Sequence, residues 1–161
     1  MASDSFGIPD GMLGQHPEEF YGAVGRIVTL SALLESGLQA LVEKLKPTSQ
    51  SSLAGMSALA AEGRKHLSRF DDPSQRARAE SFFADLDKAI RERNDVVHDL
   101  WPAQPGGDLL GWRPSRQKVI GADRTQIKST DMDAFRSLIK TLVLLIQECP
   151  AIGGGHLTIT G

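Results

Sequence analysis

A chain of 161 residues, 40% apolar and 24% charged, is sized for one domain with its own hydrophobic core. Its net charge of −2 excludes the broad basic surface that marks most nucleic-acid binders, while leaving room for a small local basic cleft. A single cysteine, Cys149, excludes an intrachain disulfide and makes a reducing, cytoplasmic setting the expectation.

The opening stretch MASDSFGIPDGMLGQHPEE shows neither a basic leader nor an apolar signal core. The longest apolar run, near Leu142 to Ile146, is far shorter than a membrane span, so no membrane partner is expected. Residues 1–16 carry Gly, Pro, Asp and Ser without periodicity and are expected to form a flexible arm. A helical domain is expected over 17–149, with a hairpin or loop insertion at about 103–128, followed by a disordered Gly-rich tail over 150–161.

Pro17-Glu18-Glu19 opens the first helix, since proline suits the first helical position and acids suit the positive end of the helix dipole. Phe20, Val24, Ile27, Leu30, Leu34, Leu38, Leu41 and Leu45 then recur at steps of three and four, until Lys46-Pro47 ends the helix. A weaker second helix, about Ser52 to Arg69, carries Leu53, Met56, Leu59, Ala60 and Leu67 and is interrupted by Gly55 and Gly63. Asp71-Asp72-Pro73 caps a third helix with the stripe Ala79, Phe82, Phe83, Leu86, Ile90 and Val97. A turn-rich break follows Trp101-Pro102. A short hairpin is predicted there, one arm near Leu109 to Arg113 and the other near Lys118 to Ile120. Ser129-Thr130-Asp131 caps a fourth helix through Phe135, Leu138, Leu142, Leu145 and Cys149, with Pro150 as its stop. The sum is an all-α, antiparallel four-helix bundle, up-and-down by its mostly short loops, with a hairpin excursion between helices three and four.

The third helix breaks its own rule near its end. Arg93 and Asn94 stand where the apolar stripe between Ile90 and Val97 should continue, and a buried polar group is costly unless paired. Asn94 and His98 are four apart and share a helix face, while Arg93 and His98 lie about 140° apart around the axis. Arginine's long stem can swing its guanidinium toward His98, so the three can converge on one pocket. Histidine moves protons near neutral pH, and arginine offers a planar fork for phosphate. Together they are a minimal set for breaking a phosphodiester without a metal. The plainer alternative is a helix-terminal histidine favoured by the dipole, a solvated face of Arg91, Glu92 and Arg93, and ordinary ion pairs for Asp95 and Asp99.

The run Arg93-Asn94-Asp95-Val96-Val97-His98 resembles the signature of the HEPN superfamily: arginine, four to six residues, then histidine, with a polar residue straight after the arginine. The resemblance spans roughly residues 17–149 in architecture and 89–101 in detail. It implies a metal-independent endoribonuclease that works as a homodimer, with two copies of the motif lining one cleft and RNA cut to a 2′,3′-cyclic phosphate. In that reading His98 is the acid/base, Arg93 the phosphate ligand and Asn94 an orienting residue. An antitoxin or other regulatory protein, or an antiviral setting, is implied as well. Leu100 stands where one toxin subgroup carries a modified tyrosine, so that mode of control is not implied. Some members are instead non-catalytic dimerisation or partner-binding modules, and the motif does not sort the two.

Three more residues are candidate substrate contacts: Arg91 beside the motif, Glu35 interrupting the apolar face of the first helix, and Arg26 on that helix. Glu35 is placed either as an ion-pair partner of Arg93, as a third active-site group, or at the surface. Trp112 with Arg113, Arg116 and Lys118 forms a basic-aromatic patch that either stacks single strands or packs the hairpin on the bundle. No cofactor or metal is expected: Asp95, His98 and Asp99 lack a metal spacing, and HExxH, CxxC and GxxxxGK[ST] are all missing.

Overall fold

The computed structural model describes residues 3, 5–9, 16–45, 55–104, 106–114 and 125–154. Four helices, α1 (Glu18–Leu45), α2 (Met56–Lys65), α3 (Pro73–His98) and α4 (Met132–Ile152), form the bundle. Strands β1 (Leu109–Pro114) and β2 (Thr125–Thr130) form an antiparallel hairpin between α3 and α4. The all-α bundle with a hairpin excursion is therefore the observed fold.

Packing fixes the helix directions. Glu19 at the start of α1 pairs with Arg136 at the start of α4. Gly37 lies against Cys149, and Gly153 reaches Leu41 and Lys44. So α1 and α4 run side by side in the same direction. α3 runs against both, since Arg78 near its start pairs with Glu148, and Trp101 beyond its end meets Phe20 and Phe135. The reason is length. α1 spans 28 residues and α2 only 10, or about 42 Å against about 15 Å. α2 is too short to carry the chain back along α1, and Arg69 just beyond it still donates to the Leu45 carbonyl at 2.5 Å.

The second helix is shorter than the sequence predicts. It starts at Met56, after Gly55 at φ 86°, and a 3-10 turn over Leu67–Arg69 replaces its expected end; Ser52 and Leu53 lie outside the described residues. Gly63 sets how closely α2 approaches α3, because an added Cβ would meet the Phe83 ring at 2.4 Å. The third helix starts as expected. Asp72 accepts from the Ser74 N–H at 2.8 Å, and that bond, with the Ser74 hydroxyl, holds its carboxyl below the usual value. Asp131 caps α4 by accepting from the Ala134 N–H at 2.8 Å.

Besides the shorter second helix and the parallel α1 and α4, which replace the expected up-and-down order, two expectations need correction. Pro150 does not stop α4, which continues to Ile152. Proline's fixed φ is helical, and this close to the end the ring forfeits only one bond. The second hairpin arm is also not Lys118–Ile120, a stretch outside the described residues. The strand that pairs with β1 is Thr125–Thr130, where Thr and Ile supply β-branched side chains.

The core is the expected set of stripes, from Phe20, Ile27, Leu34 and Leu38 on α1 through Phe82, Phe83 and Leu86 on α3 to Phe135, Leu138 and Leu142 on α4. Cys149 belongs to it, and burial, with Glu148 beside it, pushes its thiol up to about 12. No helix among the described residues is long and apolar enough to cross a membrane.

Candidate functional site at the end of the third helix

The end of α3 is held by more than its own helical bonds. The last carbonyls of a helix need outside donors. The Trp101 indole donates to the Val96 carbonyl at 2.9 Å, and the Asp99 N–H donates to Asp95 at 3.1 Å. Trp101 can turn back because its ring is seated edge-on between Phe20 and Phe135. His16 stacks on Phe20 and donates to the Trp101 carbonyl at 2.6 Å. This turn also decides which valine is covered: Val96 is buried and Val97 only half-buried, the reverse of the predicted stripe.

The hairpin docks on the same end. Leu100 and Trp112 exchange two backbone hydrogen bonds of 2.8 Å, so residue 100 extends the sheet by one bridge. Alternation along β1 then puts Gly111 and Arg113 on the face toward α3, and Trp112 on the other. Arg113 donates through Nε to Asp99 at 2.5 Å and through Nη2 to the Asn94 carbonyl at 2.7 Å, with Asp95 at 3.2 Å. Lys128 pairs with the other oxygen of Asp95. The Asp99 side chain is only 4% exposed, so its carboxylate depends on Arg113 for compensation.

The sequence-predicted residues divide around this structure. Arg93 and Asn94 are half-buried and joined, Arg93 Nη1 donating to Asn94 Oδ1 at 3.1 Å. Arg93 Nε is enclosed without a hydrogen-bond partner. His98 is exposed and bonds to neither. A single chain therefore bonds Arg93 to Asn94 and leaves the His98 imidazole bonded to neither, although Asn94 and His98 share a face of α3. The helical twist separates positions five apart, and Asn94 has engaged the guanidinium that was expected to swing across. Arg91 is exposed in an open groove of about 480 Å³ between α3 and the hairpin, lined also by Lys88, Glu92, Asn94, Asp95, Arg113 and Lys128.

On α1, Glu35 is half-buried and makes no ion pair with Arg93, and Arg26 is exposed with its guanidinium over Gly22. Neither joins the groove. Trp112 is 39% exposed and lies between Leu100 and Ile127, exposed at 63% and 61%, on the outer face of the hairpin. Trp101, not Trp112, anchors this end in the core. Arg116 and Lys118 lie outside the described residues.

The sequence puts Arg113 in a basic-aromatic patch, yet its guanidinium faces the end of α3. The signal available was charge complementarity between Asp95 and Asp99 on one side and Arg113 and Lys128 on the other. Among the described residues no three His, Cys, Asp or Glu are grouped to hold a metal ion. Cys149 is buried and protonated, which removes it as a nucleophile. No family model, curated protein or solved structure matches the chain.

Proposed function

We propose that this protein is a metal-independent endoribonuclease of the HEPN type, acting in the cytoplasm as a homodimer whose two α3 ends form one cleft. The observation that carries this reading is the state of the motif in one chain. Arg93 is oriented by Asn94, while the His98 imidazole is exposed and makes no hydrogen bond among the described residues. A histidine kept free at the surface suits proton transfer to a group that arrives from outside. A second subunit would supply the partner set that one chain separates.

In the reaction, one His98 takes the proton of the ribose 2′-hydroxyl and that oxygen attacks phosphorus. The bond to the 5′-oxygen breaks, and the leaving oxygen takes a proton from the second His98. Products are a 2′,3′-cyclic phosphate and a 5′-hydroxyl. Arg93 stabilises the charge gathered on the phosphorane, and Arg91 contacts a flanking phosphate from the groove. A toxin or antiviral effector held by an antitoxin or other regulator is the setting that fits such an activity.

The second reading is a non-catalytic HEPN-like dimerisation or partner-binding module. One observation favours it: the hairpin cations beside the motif are already compensated, Arg113 by Asp99 and Asp95, and Lys128 by Asp95. RNA cleavage with EDTA present separates the two. Wild type is expected to cut, and His98→Ala and Arg93→Ala to lose on the order of 10²- to 10⁴-fold. Undiminished activity in His98→Ala would sink the mechanism. A wild-type protein that sediments as a dimer and cuts no RNA would establish the module.

A further inference from the structure

We infer that Arg113 is a positioning residue for the Arg93–Asn94–His98 site: from β1 it grips the last turn of α3 by its backbone and fixes where Asn94 and His98 stand. The inference rests on the reading of that site given above. A helix frays at its end because its final carbonyls lack intrahelical donors. Arg113 braces that last turn at the motif itself, as a second donor to a carbonyl one turn in from the end. Its Nη2 donates to the carbonyl of Asn94, and its Nε donates to Asp99, the residue that caps the helix. In a regular helix the same Asn94 carbonyl accepts from the His98 N–H. One guanidinium therefore holds both the backbone of one site residue and the turn that carries the other.

Other features of this region point the same way. The planar fork is matched to two acceptors at once, which a lysine's single ammonium does not reproduce. Gly111 admits the hairpin at the required distance, because an added Cβ would meet Asp99 Oδ2 and Trp101 Cη2, both at 2.9 Å. The two backbone bonds between Leu100 and Trp112 fix the register of β1 against the helix end. Arg113 is half-exposed, and among the described residues its polar contacts are to Asn94, Asp95 and Asp99. Its reach is local to the motif. Lys128 differs: it ties the Asp95 side chain and takes no backbone carbonyl among the described residues.

Amide hydrogen exchange by NMR on the full chain tests this without reference to RNA. In Arg113→Ala the His98 and Asp99 amides are expected to exchange about tenfold faster or more, with Phe82 to Leu86 unchanged. Arg113→Lys should not restore them, and Lys128→Ala should leave them protected. Wild-type exchange at His98 and Asp99 in Arg113→Ala, full rescue by lysine, or equal acceleration in the core would each overturn the inference. Cleavage assays on the same proteins should show kcat falling on the order of 10²-fold with KM little changed; an unchanged kcat overturns it as well. A wild type that cuts no RNA defeats the ribonuclease reading alone, since exchange still decides whether Arg113 holds the turn.

Discussion

The middle of the bundle and its hairpin end are stabilised by different physics, and α3 passes through both. Around Phe82, Phe83 and Leu86 the helix is held by apolar side chains that are almost entirely buried. From Arg91 to His98 the same helix has one buried residue, Val96, and is held instead by directed contacts from Trp101, Arg113 and Lys128. Burial is non-directional and tolerates small shifts of backbone. Hydrogen bonds to a fork or an indole do not, because they weaken steeply with angle. The chain thus uses general adhesion where it needs stability and directional bonds where residues must stand at set positions.

The largest effect should come from the apolar region. Phe82→Ala should lower the unfolding free energy by about 3–5 kcal/mol in urea or guanidinium titrations, and the bundle should lose stability as a whole. Comparable loss from a polar substitution at the hairpin end would break the contrast.

The next effect is set by pH. The Cys149 thiol has its folded value raised from 9.0 to about 12 by burial. Below 9 both states are protonated and the group contributes nothing to the pH dependence. Between 9 and 12 the unfolded chain ionises while the folded chain does not, so stability falls as pH rises. The limiting slope is about 1.4 kcal/mol per pH unit. Denaturant midpoints measured across that window should show the slope in wild type and lack it in Cys149→Ala.

The smallest effect belongs to the exposed pair of Lys128 with Asp95. Lys128→Ala should cost less than about 1 kcal/mol and lose even that at high salt. A larger cost by the same titration would move Lys128 into the group with Arg113.

Stripes of period 3.6 made the long helices readable, because α1 and α4 each bury one continuous face. The polar interruption at Arg93 and Asn94 was readable for the same reason, as a break in such a face. Direction was not: nothing in residues 56–65 announces that α2 is too short to return the chain. The β2 strand was missed because Ile127 is the only large apolar side chain in TQIKST, and it faces solvent. The separation of His98 from Arg93 was legible as an angle, but the bond that settles it, from Arg93 to Asn94, required the rotamer. Arg113 was invisible as a helix clamp because its partners lie 14 and 19 residues away across a loop of unspecified path.

Those separations also set an order of assembly. The clamp joins residues 14 and 19 apart, whereas His16 and Trp101 meet across 85 residues. Closing a short loop loses less chain entropy than closing a long one. A chain that has formed α3 and β1 can therefore latch Arg113 onto Asn94 and Asp99 before α1 and α4 have come together. The aromatic seat of Trp101 forms only when the distant ends of the sequence meet. By loop length alone, the motif turn needs less chain closure to take its local geometry than the aromatic seat around Trp101 does.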